Sequence, residues 1–337
     1  MRILIFHPVL LPVVQYGGTE RVVMWLAQTL HRLGHAVTVF AAAGSTMPEG
    51  IECLTDPETL LRRASHFDVL HGFSRFEKKI EEAAQGKILV TVQGNGQRGE
   101  SFHRNTVFVS RNHAERHGAK VFVYNGLDPD ELTYRDGARP DRLLFISKTS
   151  WRVKNLKGAM RLANRHRQNL WTAGGDRPYL LRAKSCFKQA TGRDWKWVGA
   201  VNQEQKSKFL VEGKAMIFPL LWNEPFGIVM TEALVSGTPV LAHPYGSVPE
   251  VLEFAPQCLM RSESDWEAAL TGKIKLPSSK ECRDWVLAHF DQVAMAKKYL
   301  RLYEEVASGH ALHEKIPVTL VTAEEISSSQ AGPAQSK

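Results

Sequence analysis

Short, nearly unbroken runs of Val, Ile and Leu recur along this chain, each bounded by turn residues and several followed by helical spacing of apolar positions. Arg2–Phe6, Ala36–Phe40, Asp68–His71, Lys87–Val92, Val107–Ser110 and Lys120–Tyr124 read as strands, and Thr19–Leu33 as an amphipathic helix stopped by Gly34. Strands apolar at consecutive positions are covered on both faces, the condition of a parallel sheet flanked by helices. A polar stretch from Asp128 to Asp141 interrupts the rhythm. It then restarts with strands over Leu143–Ser147, Leu170–Ala173, Trp195–Val198, Ala215–Phe218 and Pro239–Ala242, and with a helix over Asn155–Arg167. The pattern predicts an α/β fold of two Rossmann-like domains with parallel sheets, spanning 1–138 and 139–290. A closing helix follows over 291–308, then a tail over 309–337 whose composition predicts disorder after about residue 327. Two such domains imply a cleft, with the useful residues in the loops that leave the carboxyl ends of the strands.

Charge narrows the ligands. The net charge is +8, yet Arg139–Lys214 holds 18 Lys/Arg against 5 Asp/Glu, so the remainder is acidic. Such a basic half suits an anionic partner: nucleic acid, a phosphorylated small molecule or an anionic membrane face. No helix-turn-helix or aromatic-rich RNA motif is visible, which disfavours nucleic acid. The cysteines, Cys53, Cys186, Cys258 and Cys282, are scattered without CxxC or zinc spacing, as in a cytoplasmic protein with reduced thiols. His7, Pro8 and Pro12 break the first apolar run, so it reads as a strand and its loop rather than a signal peptide. A peripheral place on the inner face of a membrane is compatible with the basic segment.

Three loops carry candidate chemistry. Gly17-Gly18 directly precedes a helix, where bare backbone and a helix N-terminus favour an anion, although the full dinucleotide fingerprint is missing. Lys148, Arg152 and Lys154 follow the Leu143–Ser147 strand, where cations can neutralise phosphate oxygens and a leaving group. In Phe218–Glu250, Glu224 and Glu232 are separated by seven residues, with Pro225 and Gly227 at a loop-to-helix junction. The amides of Phe226, Gly227 and Ile228 would open that helix and could hold a diphosphate. Glu232, two turns in, could accept from ribose hydroxyls. Two ordinary surface glutamates are the bland alternative.

Phe218–Glu250 resembles the E-x7-E region of glycosyltransferase family 4, retaining enzymes of the GT-B fold. Gly17-Gly18-Thr19-Glu20 resembles the family's N-terminal glycine loop, and Tyr124–Asp128 its P-N-G-V-D turn. Leu170–Gly175, Gly246–Val251 and Phe290–Tyr303 resemble its second-domain glycine loop, its G-G-x-x-E turn and its closing helix. The resemblance implies a hexosyltransferase-like enzyme of carbohydrate biosynthesis. It would move a sugar from a nucleoside-diphosphate sugar to a hydroxyl acceptor, without cofactor or essential metal. It implies Glu224 on the transferred sugar, Glu232 on the ribose, and Lys148 with Lys154 on the diphosphate. Lys148 stands where the family usually has Arg, which keeps the charge and loses the bidentate fork. After the Lys87–Val92 strand the family usually has His then Gly, whereas this chain has Gln93-Gly94. Glutamine can hydrogen-bond a sugar hydroxyl but carries no proton. His71 and His113 are possible substitutes, and a degenerate nucleotide- or glycan-binding protein is the alternative function. A sugar-nucleotide epimerase would need proton-transfer residues at the sugar, and the Glu224 block matches the transferases better.

Overall fold

The computed structural model describes residues 1–13, 17–175 and 195–326. Cys186 and the tail after 327 lie outside these residues. The chain forms two compact units: Met1–Val13, Gly17–Asp128 and Phe290–Thr322 build the first, while Pro129–His289 and the chain from Ala323 belong to the second.

In the first unit, strands β1 (Arg2–Phe6), β2 (Ala36–Phe40), β3 (Glu52–Leu54), β4 (Val69–Gly72), β5 (Ile88–Thr91) and β6 (Thr106–Val107) form one sheet in the order β3-β2-β1-β4-β5-β6. Every pairing is parallel. β4 and β5 are buried at every position, as their unbroken apolar sequence requires. Helix α1 (Gly18–Arg32) buries Val22, Val23, Trp25, Leu26 and Leu30. α2 (Pro57–Arg63), α3 (Lys78–Ala83) and α4 (Arg111–Arg116) complete its first pass.

Lys120–Tyr124 is not a strand. Phe122 makes a single bridge to Phe108. The ladder cannot lengthen because β6 is two residues long and Ser110 already caps α4, its hydroxyl accepting from the His113 amide. The Asn125-Gly126 turn is real and tight: a side chain on Gly126 would meet the backbone of Asp291 and Gln292 at 2.7 Å.

The second unit contains β7 (Leu143–Ile146), β8 (Leu170–Ala173), β9 (Trp195–Gly199), β10 (Ala215–Phe218) and β11 (Val240–Ala242), all parallel, in the order β11-β10-β7-β8-β9. Among the described residues its helices are α5 (Leu156–Arg165), α6 (Gln203–Leu210), α7 (Ile228–Val235), α8 (Val248–Val251), α9 (Glu263–Leu270) and α10 (Ser279–His289). The polar stretch before β7 is anchored rather than loose. The Arg139 guanidinium donates to Thr238 Oγ1 at 2.6 Å and to the carbonyls of Arg135 and Ser236 at 2.7 and 2.8 Å.

Helix α11 (Gln292–Ala307) returns to the first unit. Its Gln292 accepts from Thr29 of α1, and its fully buried Tyr299 and Tyr303 reach polar atoms of the first sheet. No described helix is long and apolar enough to cross a membrane.

Candidate functional site

The carboxyl end of the second sheet gathers the charged candidates. After β7 the chain turns through Arg152–Lys154 into α5. Asn155 takes a left-handed conformation at φ 58°, caps α5 by accepting from the Gly158 amide, and donates to the Pro219 carbonyl at 2.8 Å. The Leu221 amide donates to the Val153 carbonyl at 2.8 Å, which ties this turn to the loop after β10. Lys154 is thereby delivered to Glu224, with Nζ 2.6 Å from Oε2. Trp222 Nε1 donates to the same oxygen at 2.7 Å, and Glu224 Oε1 accepts no hydrogen bond among the described residues.

Lys154 Nζ also lies 4.6 Å from the Trp222 ring centre and 5.4 Å from that of Phe218. Aromatic faces attract a cation and keep water from it. Lys148 Nζ stands 5.2 Å over Trp151, whose ring meets Trp222 edge to face. Lys154 and Glu224 are 8% and 6% exposed, so each charge depends on the other for compensation.

Glu232 sits on α7, a helix buried nearly all round. A carboxylate there needs a partner. Lys206 of α6 supplies it, Nζ donating to Oε1. Glu232 is 2% and Lys206 8% exposed. Gly227 opens α7 at φ 76°, and an added Cβ would lie 3.1 Å from Glu224 Cγ, so the helix start and the carboxylate are in contact. The Phe226 carbonyl accepts from Ser247 Oγ, and Ile228 is the first helical residue. The glycine turn packs on Glu224 directly: a Cβ on Gly246 would lie 2.2 Å from the Glu224 carbonyl oxygen. Gly174, in the loop after β8, similarly crosses the Ser147 carbonyl at a distance no side chain tolerates.

In the first unit, Gly17 caps α1 and Gly18 is its first residue. A Cβ on Gly17 would meet Glu20 Oε2 and Val13 at 2.7–2.8 Å, and its carbonyl accepts from the Arg21 guanidinium. Gln93 leaves β5 in a reciprocal amide pair with Asn125: Nε2 donates to Oδ1 at 2.9 Å and Nδ2 returns to Oε1 at 2.8 Å.

His71 is not a substitute for the missing histidine. It is fully buried within β4, with Nδ1 2.6 Å from the Tyr303 hydroxyl and Nε2 2.8 Å from that of Thr91. Burial lowers its pKa to about 3. His113 is buried as well, and its Nε2 bonds the Gly94 carbonyl at 3.0 Å, so it supports the Gln93-Gly94 loop from beneath.

The sequence did not reveal Lys206, Trp222 or the Gln93–Asn125 pair. Lys206 lies on a polar helix 26 residues before its carboxylate and carries no local signature. Trp222, two residues before Glu224, was visible but silent about its hydrogen bond.

Residues 138–284 match the model of the family "Glycosyl transferases group 1". A 150-residue stretch is 28% identical to the uncharacterized glycosyltransferase MJ1607 of Methanocaldococcus jannaschii, covering 39% of this chain and 38% of that protein. AviGT4, a glycosyltransferase involved in avilamycin A biosynthesis, superposes with a TM-score of 0.70 at 22% identity, over 92% of this chain and 99% of its own. Anabaena Alr3699/HepE, solved in complex with UDP, gives 0.66 at 13% identity, over 90% and 100%. Sucrose-phosphate synthase from Thermosynechococcus elongatus gives 0.62 at 16% identity, over 91% and 99%. The fold is GT-B, with two Rossmann-like α/β units.

Proposed function

We propose that this protein is a retaining glycosyltransferase of family 4 that moves a sugar from a nucleoside-diphosphate sugar to a hydroxyl acceptor. The observation that carries the proposal is the Lys154–Glu224 pair, buried beside the Gly227 helix start, with Glu232 little more than a turn along the same helix. The match of residues 138–284 to the group 1 glycosyl transferases, and the UDP held by the Anabaena relative, support the donor class.

In this reading the diphosphate meets Lys154, Lys148 and the amides of Phe226, Gly227 and Ile228. Positive charge there stabilises the departing phosphate as the glycosidic bond breaks. Glu224 uses Oε1 for a hydroxyl of the transferred sugar while Lys154 and Trp222 hold Oε2. Glu232 accepts from ribose hydroxyls. The acceptor attacks from the leaving-group face, and a phosphate oxygen takes its proton. The first unit supplies acceptor contacts through the Gly17-Gly18 loop and Gln93. No step requires a metal. The enzyme works in the cytoplasm, and its basic second unit suits peripheral contact with an anionic membrane.

A binding protein without turnover is the second reading, favoured by the engagement of Gln93 with Asn125 in place of a proton carrier. Calorimetric titration with UDP, GDP and ADP, beside Glu232→Ala, tests the first. Selective binding of one nucleotide, weakened at least about tenfold by the variant, is expected from loss of charge-assisted hydrogen bonds. Failure of all three to bind would overturn the donor assignment.

A further inference from the structure

The chain does not end its structural work at α11. Residues 312–322 run back across the first unit and pair with the segment that follows the Gln93-Gly94 loop. Thr319 is the centre of this docking: its amide donates to the Glu100 carbonyl at 2.9 Å, and its carbonyl accepts from Gly99 at 3.0 Å. On its other side, the Val318 and Leu320 amides donate to the carbonyls of His117 and Arg116 at 3.0 and 2.8 Å. The segment is thus hydrogen-bonded on both edges, although it is too short to form a strand of the sheet.

Two contacts carry this docking into the loop. The Arg116 guanidinium donates to Asn95 Oδ1 at 2.7 Å and to the Val321 carbonyl at 3.4 Å, so one side chain holds both the loop and the returning segment. Gly96 lies against Thr319 so closely that an added Cβ would stand 2.2 Å from Oγ1. A glycine-rich stretch, Gly94 to Gly99, has little rigidity of its own. Here Arg116 and His113 hold its near end, and Thr319, more than two hundred positions away, holds its far end.

The same segment then enters the second unit. The Ala323 carbonyl accepts from the Asn223 amide at 2.7 Å, and the Glu325 carbonyl from Asn223 Nδ2 at 2.9 Å. Asn223 directly precedes Glu224. One continuous strap therefore fixes the backbone beside a candidate residue in each unit.

We propose that residues 312–326 form a positioning strap, setting the Gly94–Gly99 stretch after Gln93 and the Asn223–Glu224 backbone, and that sugar transfer depends on both settings. The dependence on transfer rests on the glycosyltransferase reading. None of these residues is required to touch substrate; they act through the loops they hold.

The test uses chains ending at Ile326, Thr322 and Ala311 beside the full chain. Amide hydrogen exchange, nucleotide binding and transfer kinetics are measured on each. The chain ending at Ile326 is expected to match the full protein. Ending at Thr322 should speed exchange at residues 219–225 alone, and ending at Ala311 should also free residues 94–102. Misplacement of positioned groups should lower kcat about tenfold or more in the shortest chain, with nucleotide affinity within about threefold of the full chain. A peptide of residues 312–326 added in trans should restore the rate, and a scrambled peptide should not. Should the shortest chain fail to fold, Leu320→Pro in the intact chain removes the shorter of two amide donors to the Arg116 carbonyl, that of Val321 being the other, and tests the first-unit contact in the same way. Unchanged exchange in both loops, or faster exchange with an unchanged kcat, would overturn the proposal. A full chain that binds none of UDP, GDP or ADP would sink the transferase reading, while the exchange comparison would still decide whether the strap sets the loops.

Discussion

The carboxyl ends of the two sheets are built from different chemistry. In the second unit, two carboxylates and two ammonium groups are buried as Lys154–Glu224 and Lys206–Glu232. In the first, the corresponding loop presents an amide pair, Gln93 with Asn125, above histidines held neutral by burial. Fixed charges suit a ligand whose own charge must be compensated. Neutral groups that both donate and accept suit hydroxyls, which do the same. The contrast is one of charge: ion pairs at one sheet end, a neutral amide pair at the other.

The largest expected effects come from breaking the charged side. Lys154→Ala leaves Glu224 buried and unpaired, which should cost about 3–5 kcal/mol of stability. Glu224→Gln keeps the shape and an acceptor for Trp222 and Lys154 but leaves the buried Lys154 charge uncompensated, so it should lower melting by less than Lys154→Ala does, while lowering transfer about 10²–10³-fold. Chemical denaturation and steady-state kinetics on the two variants separate fold from function. A Glu224→Gln protein with full activity would remove this residue from the site.

Acid should instead strip the first unit. The His71 pKa is lowered to about 3 by burial, that of His117 to about 4, and that of His113 well below 6.5. The unfolded chain binds protons near pH 6.5, so it takes up more than the native state below that value. Stability is fully present above about pH 6.5 and is lost as pH falls toward 4–3, at up to about 1.4 kcal/mol per pH unit for His71 alone. Hydrogen exchange between pH 7.5 and 5 should show β4 and β5 losing protection before β7 and β10. Simultaneous loss would mean that the two units unfold as one.

The smallest effect is expected at Gln93. Gln93→His removes both bonds to Asn125 and should lower transfer by about tenfold or less, with a stability loss of about 1–2 kcal/mol. A rate increase would sharpen the contrast the other way, showing that the amide pair replaced a more active histidine.

How much of this was legible in sequence follows from locality. The strands of both sheets were readable because doubly covered strands need apolar residues at every position, and β4, β5, β7 and β10 have them. β3 was not, since Glu52–Leu54 is three residues long and opens on a charge. Lys120–Tyr124 misled because its alternation is strand-like while its partner turns into α4 one residue too soon. Glu224 and Glu232 were visible through their spacing around Gly227. Their partners were harder: Lys154 reads in the sequence as a phosphate ligand, whereas the structure shows it as the counter-ion of Glu224, and nothing near Lys206 points to Glu232. The strap was invisible, because main-chain hydrogen bonds between Thr319 and Gly99 leave no trace in side-chain pattern.

The tyrosines of α11 have a consequence for how the protein is made. His71 and Thr91 are buried polar groups whose partners, Tyr303 and Tyr299, are synthesised after Pro129–His289, the long central segment of the second unit. At ordinary translation speeds on the order of ten seconds or more separates Asp128 from Tyr303 leaving the ribosome. During that interval the nascent first unit lacks the partners of its central strands, while Pro129–His289 of the second unit can already fold. The later-made half is therefore expected to mature first, and the earlier half to wait for the last helix.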